Sequence, residues 1–148
     1  MGGNYLNSIL ATQDAKQRGF DEAILLDQSG NVSEAPGENI FLVKNNKLVT
    51  PSLSSSALDG ITRRSIITLA KDMKLKIKTQ KVSKKELKMA DEIFLSGTAA
   101  EITPVIKIDK KKIGEGKVGN ITKLFMATYS DIVMNKSENY SHWLTAVY

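Results

Sequence analysis

Val32-Ser33-Glu34-Ala35-Pro36-Gly37-Glu38-Asn39-Ile40-Phe41 reads as strand, tight turn, strand. Pro36-Gly37 is turn chemistry, because proline presets the first central φ and glycine accepts a positive φ at the second. The apolar run from Ile40 to Val43 behind it reads as a buried strand. The turn leaves Glu34 at a strand end, where a carboxylate can be aimed into a cleft. A glutamate in a turn is usually solvated, since glutamate is rarely buried unless paired. Glu34 is therefore a candidate that needs support from other stretches. Glu38, in the same turn, reads as structural, bonding the turn's backbone.

Working outward, the pattern is a mixture of helices and hairpins. Asn4 is placed to cap a helix carrying Leu6, Ile9 and Leu10 on one side, with Gly19 as its stop. Glu22–Asp27 reads as a buried strand, and the turn residues Gln28-Ser29-Gly30-Asn31 fold it back onto Val32–Glu34. Asn39–Lys44 and Lys47–Thr50 form a hairpin through Asn45-Asn46. A Ser-rich loop from Pro51 to Asp59 leads to a helix from Thr62 to about Lys74. Its stripe is Ile66, Leu69, Ala70 and Met73, with Arg63, Arg64, Lys71 and Asp72 mostly outside it. Leu75–Val82 alternates as a half-buried strand, and Ser83-Lys84-Lys85-Glu86 is a capping box for a short helix through Met89. Asp91–Leu95 is a buried strand. Ile102–Ile108 is another, forming a hairpin with Lys111–Ile113. The last helix spans Asn120 to about Asn135, with Ile121, Leu124, Phe125, Thr128 and Ile132 on one face. No internal repeat, low-complexity segment or linker is present. The fold class is α+β.

The 148 residues suit one domain with a core of its own. The apolar share (41%) and the charged share (25%) are ordinary for a globular chain. No apolar run approaches the ~20 residues of a membrane helix. No signal peptide is visible, and no cysteine is present for disulfides or a thiolate metal site. These features point to the cytoplasm. The formal net charge of +5 raises the question of nucleic acid. Yet the densest cluster, Lys107 with Lys110-Lys111-Lys112, sits at an expected hairpin, Asp109 to Lys112, without the interleaved aromatics of a single-strand binder. Neither a nucleic acid nor a membrane is expected as partner. His142 is the single histidine, so a metal site and a Ser-His-Asp constellation both lack support.

Two further stretches carry chemistry. Gly60-Ile61-Thr62 stands at a helix start, where free N–H groups and the dipole attract anions and the Thr62 hydroxyl adds a donor. Read alone, Thr62 is as well explained as a cap. Ser96-Gly97-Thr98-Ala99 follows a buried strand and offers a second turn of the same kind. Two such turns could clamp one phosphate.

Together with Gly2-Gly3-Asn4-Tyr5-Leu6, Ser56-Ala57-Leu58-Asp59-Gly60-Ile61-Thr62-Arg63 and Ser96 through Val105, the Glu34 stretch resembles the C-terminal half of the fold-type IV pyridoxal-phosphate aminotransferases. The branched-chain amino acid aminotransferases are the most similar group. The resemblance covers essentially the whole chain. It implies mixed sheets forming a barrel-like core with outer helices, the large C-terminal domain over residues 1–148, with the N-terminal domain absent. It implies pyridoxal 5′-phosphate as cofactor, with Glu34 on the pyridine nitrogen and Tyr5 on the phenolic oxygen. Leu58 would lie against the ring, and Gly60, Ile61, Thr62 and Thr98 would lie at the phosphate. The backbone of Thr98-Ala99-Ala100 would take the substrate α-carboxylate.

The same resemblance places the Schiff-base lysine just upstream of Met1. No catalytic residue is therefore expected in this chain, and covalent cofactor attachment through that lysine is not expected here. Neither Lys16 nor Lys123 stands at a motif position. The implied activity is transfer of the amino group between leucine, isoleucine or valine and 2-oxoglutarate, within a homo-oligomer. The chain alone is expected to be inactive. Two other readings stay open: a non-catalytic binding or structural module that keeps the fold, and a related enzyme acting on D-amino acids or as an aminodeoxychorismate lyase. Asp59, where the family commonly has proline, and Ala35-Pro36 are departures that bear on substrate.

Overall fold

The computed structural model describes residues 5–146. Alternation in two strands organises it. β1 (Asn39–Lys44) and β4 (Glu92–Gly97) run antiparallel at the sheet centre, with Phe41 opposite Phe94. Phe41 and Phe94 point to one face, where their rings stack with centroids 5.1 Å apart, and Phe125 adds a third ring 5.6 Å from Phe94. Ile40, Leu42, Ile93 and Leu95 point to the other face and join Val32, Val82, Leu87 and Ile113. A strand buried on both faces reads as a continuous apolar run, as Ile40–Val43 does.

β2 (Lys47–Pro51) joins β1 through Asn45-Asn46, both at positive φ. β3 (Ile77–Gln80) pairs parallel to β2, and β5 (Glu101–Pro104) pairs antiparallel to β4. The order is β3-β2-β1-β4-β5, a mixed five-stranded sheet. It is flanked by a separate hairpin of β6 (Lys107–Ile108) and β7 (Lys111–Lys112). The barrel-like core expected above resolves as this open mixed sheet. No closed barrel forms among the described residues.

Helices cover the aromatic face. α2 (Ile61–Asp72) contributes Ile66, Leu69 and Ala70, and α4 (Asn120–Val133) contributes Phe125 and Ile132. Leu124, expected on the inner face of α4, is exposed. α3 (Lys84–Lys88) starts with the expected capping box: Ser83 Oγ accepts from the Glu86 N–H, and the Glu86 carboxylate accepts from the Ser83 N–H.

Several expectations are corrected. Glu22–Asp27 is half-buried and meets Val32 through a single bridge at Leu26. The main chain also bonds the returning segment, with the Asp27 N–H on the Asn31 carbonyl, the Ser33 N–H on the Leu25 carbonyl and the Leu25 N–H on the Glu34 carbonyl, while the Val32 N–H turns the other way, to the Val82 carbonyl. The run 102–108 divides after Pro104: the Val105 N–H still bonds the Ile93 carbonyl, and β6 begins only at Lys107. The strand expected over 75–82 shortens to β3; α2 ends at Asp72, with Met73 as its C-cap and Lys74 at a positive φ. α1 (Leu6–Gln17) forms, but Leu6, Ile9 and Leu10 are exposed and only Ala15 is buried. Asn4, the expected cap, lies outside the described residues. Arg63, expected outside the buried stripe, is buried.

Candidate functional site

The site is built around Asn39, the first residue of β1, which pairs with Ser96 at the end of β4. Asn39 is polar at the head of an apolar strand, and its side chain is spent on tertiary bonds. Nδ2 donates to Glu34 Oε2 at 3.1 Å and to the Leu58 carbonyl at 2.8 Å. The Leu58 N–H donates to the same Glu34 oxygen at 2.8 Å. Asn39, Glu34 and Leu58 thus form a closed triangle at one end of the sheet. It ties the Glu34 turn to the loop that follows β2.

The turn itself is held by its main chain. Ala35 and Glu38 exchange both backbone bonds, and Gly37 supplies the positive φ. The Glu38 side chain was expected to bond this backbone. Its main chain does so, while its carboxyl is raised above the usual range by burial and by the Glu22 charge.

Glu34 is half-buried. Burial pushes its carboxyl above the usual range, and the Leu58 N–H partly opposes that. No basic side chain among the described residues bonds to it. A carboxylate held by two neutral donors, desolvated and without a cation, suits a cationic group placed opposite it.

The neighbouring loop enters α2 through Gly60. A β-carbon there would overlap Asn39 Oδ1, so only glycine lets the helix start pass this close to β1. Gly60 has extended geometry and no side-chain cap. The first N–H groups of α2 therefore have no acceptor within the helix. Thr62 is buried, with its hydroxyl 3.5 Å from the Tyr129 hydroxyl. Arg63 and Arg64 add positive charge to this helix end, and both bond Asp59. Uncapped amides, a hydroxyl and basic side chains at one helix start can hold an anion.

β4 and β5 are joined by Thr98-Ala99-Ala100. Glu101 takes a positive φ, and Thr103 Oγ1 donates to the Ala100 carbonyl at 3.0 Å. The small side chains leave the turn's main chain open to a ligand. Gly97 lies against the Gly37 carbonyl, so this hairpin backs onto the Glu34 turn. Ser96 Oγ is buried without a partner.

The structure therefore gathers Glu34, Leu58, Gly60, Ile61 and Thr62 around Asn39, with Thr98, Ala99 and Ala100 on the adjoining hairpin. Leu58 (69%) and Ile61 (80%) leave their side chains exposed, the condition for facing a ligand or another segment. Tyr5 stands at the N-cap of α1, exposed, with no hydrogen bond to the cluster among the described residues. Gly2, Gly3 and Asn4 lie outside the described residues. Sequence reasoning missed Asn39, Arg63 and Ser96. For Asn39 there was a signal, a lone amide heading an otherwise apolar strand. Among the described residues no cluster of His, Cys, Asp and Glu could hold a metal.

Residues 2–108 match the family model described as amino-transferase class IV. A probable branched-chain-amino-acid aminotransferase of Aquifex aeolicus is 48% identical over 149 residues, covering 100% of this chain and 48% of that protein. The branched-chain-amino-acid aminotransferase of Escherichia coli K12 is 45% identical over 146 residues, covering 99% and 47%. Among solved structures, the Thermoproteus uzoniensis branched-chain aminotransferase with norvaline superposes with a TM-score of 0.94 at 46% identity. It covers 99% of this chain and 48% of that one. The Thermobaculum terrenum branched-chain amino acid aminotransferase in its PLP-form gives a TM-score of 0.93 at 39% identity, covering 97% and 47%. The chain spans about half the length of the relatives it matches.

Proposed function

Because this chain belongs to the class IV amino-transferase family, we propose that it is the cofactor-holding half of a pyridoxal-phosphate-dependent branched-chain-amino-acid transaminase. The proposed reaction moves an amino group between leucine, isoleucine or valine and 2-oxoglutarate. Pyridoxal phosphate supplies an electron sink when bound.

The observation that carries the reading is Glu34, a half-buried carboxylate fixed by Leu58 and Asn39 with no cation bonded to it among the described residues. In this role it keeps a proton on the pyridine nitrogen. A pyridinium there gives the carboxylate the opposite charge it lacks among the described residues. The uncapped start of α2, with the main chain of Ile61 and the hydroxyl of Thr62, fits a phosphate. Gly60 keeps that helix start against Asn39, so phosphate and ring nitrogen are held by elements tied to one residue. Leu58 presents its exposed side chain to the ring face, and Thr98 closes the phosphate side. Tyr5 is proposed to reach the phenolic oxygen. The turn Thr98-Ala99-Ala100 is proposed to hold the substrate carboxylate through its N–H groups.

No lysine among the described residues is assigned to covalent attachment, since none stands at a motif position of the resemblance. We place the chain, by its resemblance, in the C-terminal large domain of a cytoplasmic homo-oligomer. The chain alone is proposed to bind cofactor without turnover.

An absorbance titration with pyridoxal phosphate tests this, run on the chain and on a polypeptide of the relatives' length. Transamination of leucine by the longer polypeptide, with weaker and inactive binding by the chain, is the expected result. No binding and no activity in either would mean that the fold serves as a binding or structural module.

A further inference from the structure

Leu58 carries an unusual duty for an exposed loop residue. Its side chain packs little, yet its N–H fixes Glu34 and its carbonyl receives Asn39. Something other than its own packing must hold this backbone. The loop from Pro51 to Gly60 contains a 3₁₀ turn over Leu53–Ser55 and a left-handed Ser56. Buried apolar side chains are scarce along it.

Arg63 closes this loop at both ends. From the first turn of α2 it reaches back, and its two terminal nitrogens part. One donates to the Pro51 carbonyl, where the loop begins, at 3.2 Å. The other donates to Asp59 Oδ1, where the loop ends, at 3.3 Å. Arg64 takes the second oxygen of Asp59, with Nε at 3.0 Å and the terminal nitrogen at 2.9 Å. The Arg63 side chain is 5% exposed, against 66% for Arg64. Arg63 Nε is buried with no partner. A buried guanidinium with an unsatisfied nitrogen costs stability, and packing alone would favour an apolar side chain there. The arrangement makes sense as a device for fixing one backbone geometry.

We propose that Asp59 and Arg63 are positioning residues, whose clamp across the loop from Pro51 to Gly60 holds the Leu58 N–H on Glu34. Asp59 lies next to Leu58, so a displaced Asp59 moves that amide directly. Arg64 is the outer arm, exposed and screened by salt. The importance of the clamp for the reaction rests on the reading of Glu34 as the carboxylate that faces the cofactor ring.

The test is amide NMR on the ¹⁵N-labelled chain. The Leu58 amide proton shift should follow the protonation of Glu34 in the wild type. Arg63→Met keeps the stem's length and removes the fork, while Asp59→Asn removes the charge at the loop's partly exposed end. In both, the Leu58 amide should lose that titration, and its exchange protection should fall about tenfold while Phe41 and Leu95 stay protected. Arg64→Met should do less. Should Arg63→Met fail to fold, Asp59→Asn decides. An unchanged Leu58 titration and protection in the folded variants overturns the proposal, even if the melting temperature drops. These readouts need no cofactor. If they come out as expected and the protein binds no pyridoxal phosphate, the clamp stands and the proposed function falls.

Discussion

The Leu58 N–H and Glu34 Oε2 meet at 2.8 Å across 24 positions of sequence. That bond lowers the Glu34 carboxyl, while burial, the larger effect, raises it. The ionised carboxylate is thus held where it is least comfortable, which suits a group awaiting a positive partner.

Glu34→Gln should therefore stabilise the free chain at neutral pH. The folded pKa is raised, so the folded state binds the proton more tightly than the unfolded one. Stability from this group is full below the unfolded pKa and is lost as pH rises through the folded pKa. Glutamine mimics the protonated form and still accepts the Leu58 bond. The gain should be small, on the order of 0.5 kcal/mol after allowing for the half-exposed position, and it should vanish near pH 4. Urea denaturation between pH 4 and pH 8 measures it. Under the proposed function the same variant should bind pyridoxal phosphate on the order of tenfold more weakly, the scale of a lost charged hydrogen bond. A variant less stable at pH 7 than at pH 4, relative to wild type, would contradict the sign.

Gly60 and Asn39 should behave as one unit. Gly60→Ala forces a β-carbon onto Asn39 Oδ1, with an expected cost of about 1–3 kcal/mol. Asn39→Ala leaves the Leu58 carbonyl without its donor and takes one of two from Glu34, again about 1–3 kcal/mol. In the double variant the clash is gone, so the two costs should fall short of additive by about 0.5 kcal/mol or more. A double-mutant cycle by chemical denaturation reads this directly. Strict additivity would mean that the helix start can shift away from β1 at little cost.

The central sheet and the Glu34 turn were legible because each rests on local chemistry. Ile40–Val43 is too apolar for a surface, and Pro36-Gly37 and Asn45-Asn46 dictate their turns. The cluster at Gly60-Ile61-Thr62 was legible as a helix start. What was not legible depends on partners distant in sequence. Arg63 looked like a surface cation until its fork found Pro51 and Asp59. Leu6, Ile9 and Leu10 show the converse. Their spacing is that of a buried stripe, yet nothing among the described residues covers them. Periodicity reveals that a face is apolar, not what buries it.

Glu92 supplies a further case of distant bonding, at the start of α4. Its Oε1 accepts from the Ile121 N–H at 3.1 Å, and its Oε2 accepts from the Thr122 N–H and hydroxyl at 2.7 Å each. A β-strand carboxylate thus caps a helix 29 positions away, in place of the side chain that Gly119 lacks. Glu92→Ala should cost about 1–2 kcal/mol, as loss of an N-cap does. Gly119→Ser, which offers a local cap, should bring no gain while Glu92 is present, because its β-carbon overlaps the Glu92 carboxyl. In the Glu92→Ala background that obstruction is gone and Gly119→Ser should recover part of the loss. Thermal denaturation of the four proteins gives the comparison.

Self-association should follow from α1. Tyr5 at its cap, with Leu6 (57%), Ile9 (47%) and Leu10 (53%), places large exposed apolar side chains along little more than one turn. Leu6 and Leu10 are four residues apart and so share one side of the helix. A contiguous exposed apolar face is a contact surface for another molecule or another segment. The chain alone should therefore sediment as more than a monomer at micromolar concentration and bind a dye specific for apolar surface. Leu6→Glu with Leu10→Glu should return it to monomer without lowering stability, since neither side chain is buried in the core and glutamate is a good helix former. Sedimentation velocity on both proteins tests this. A wild-type chain that is already monomeric and dye-free would show that α1 is shielded in solution by packing of its own.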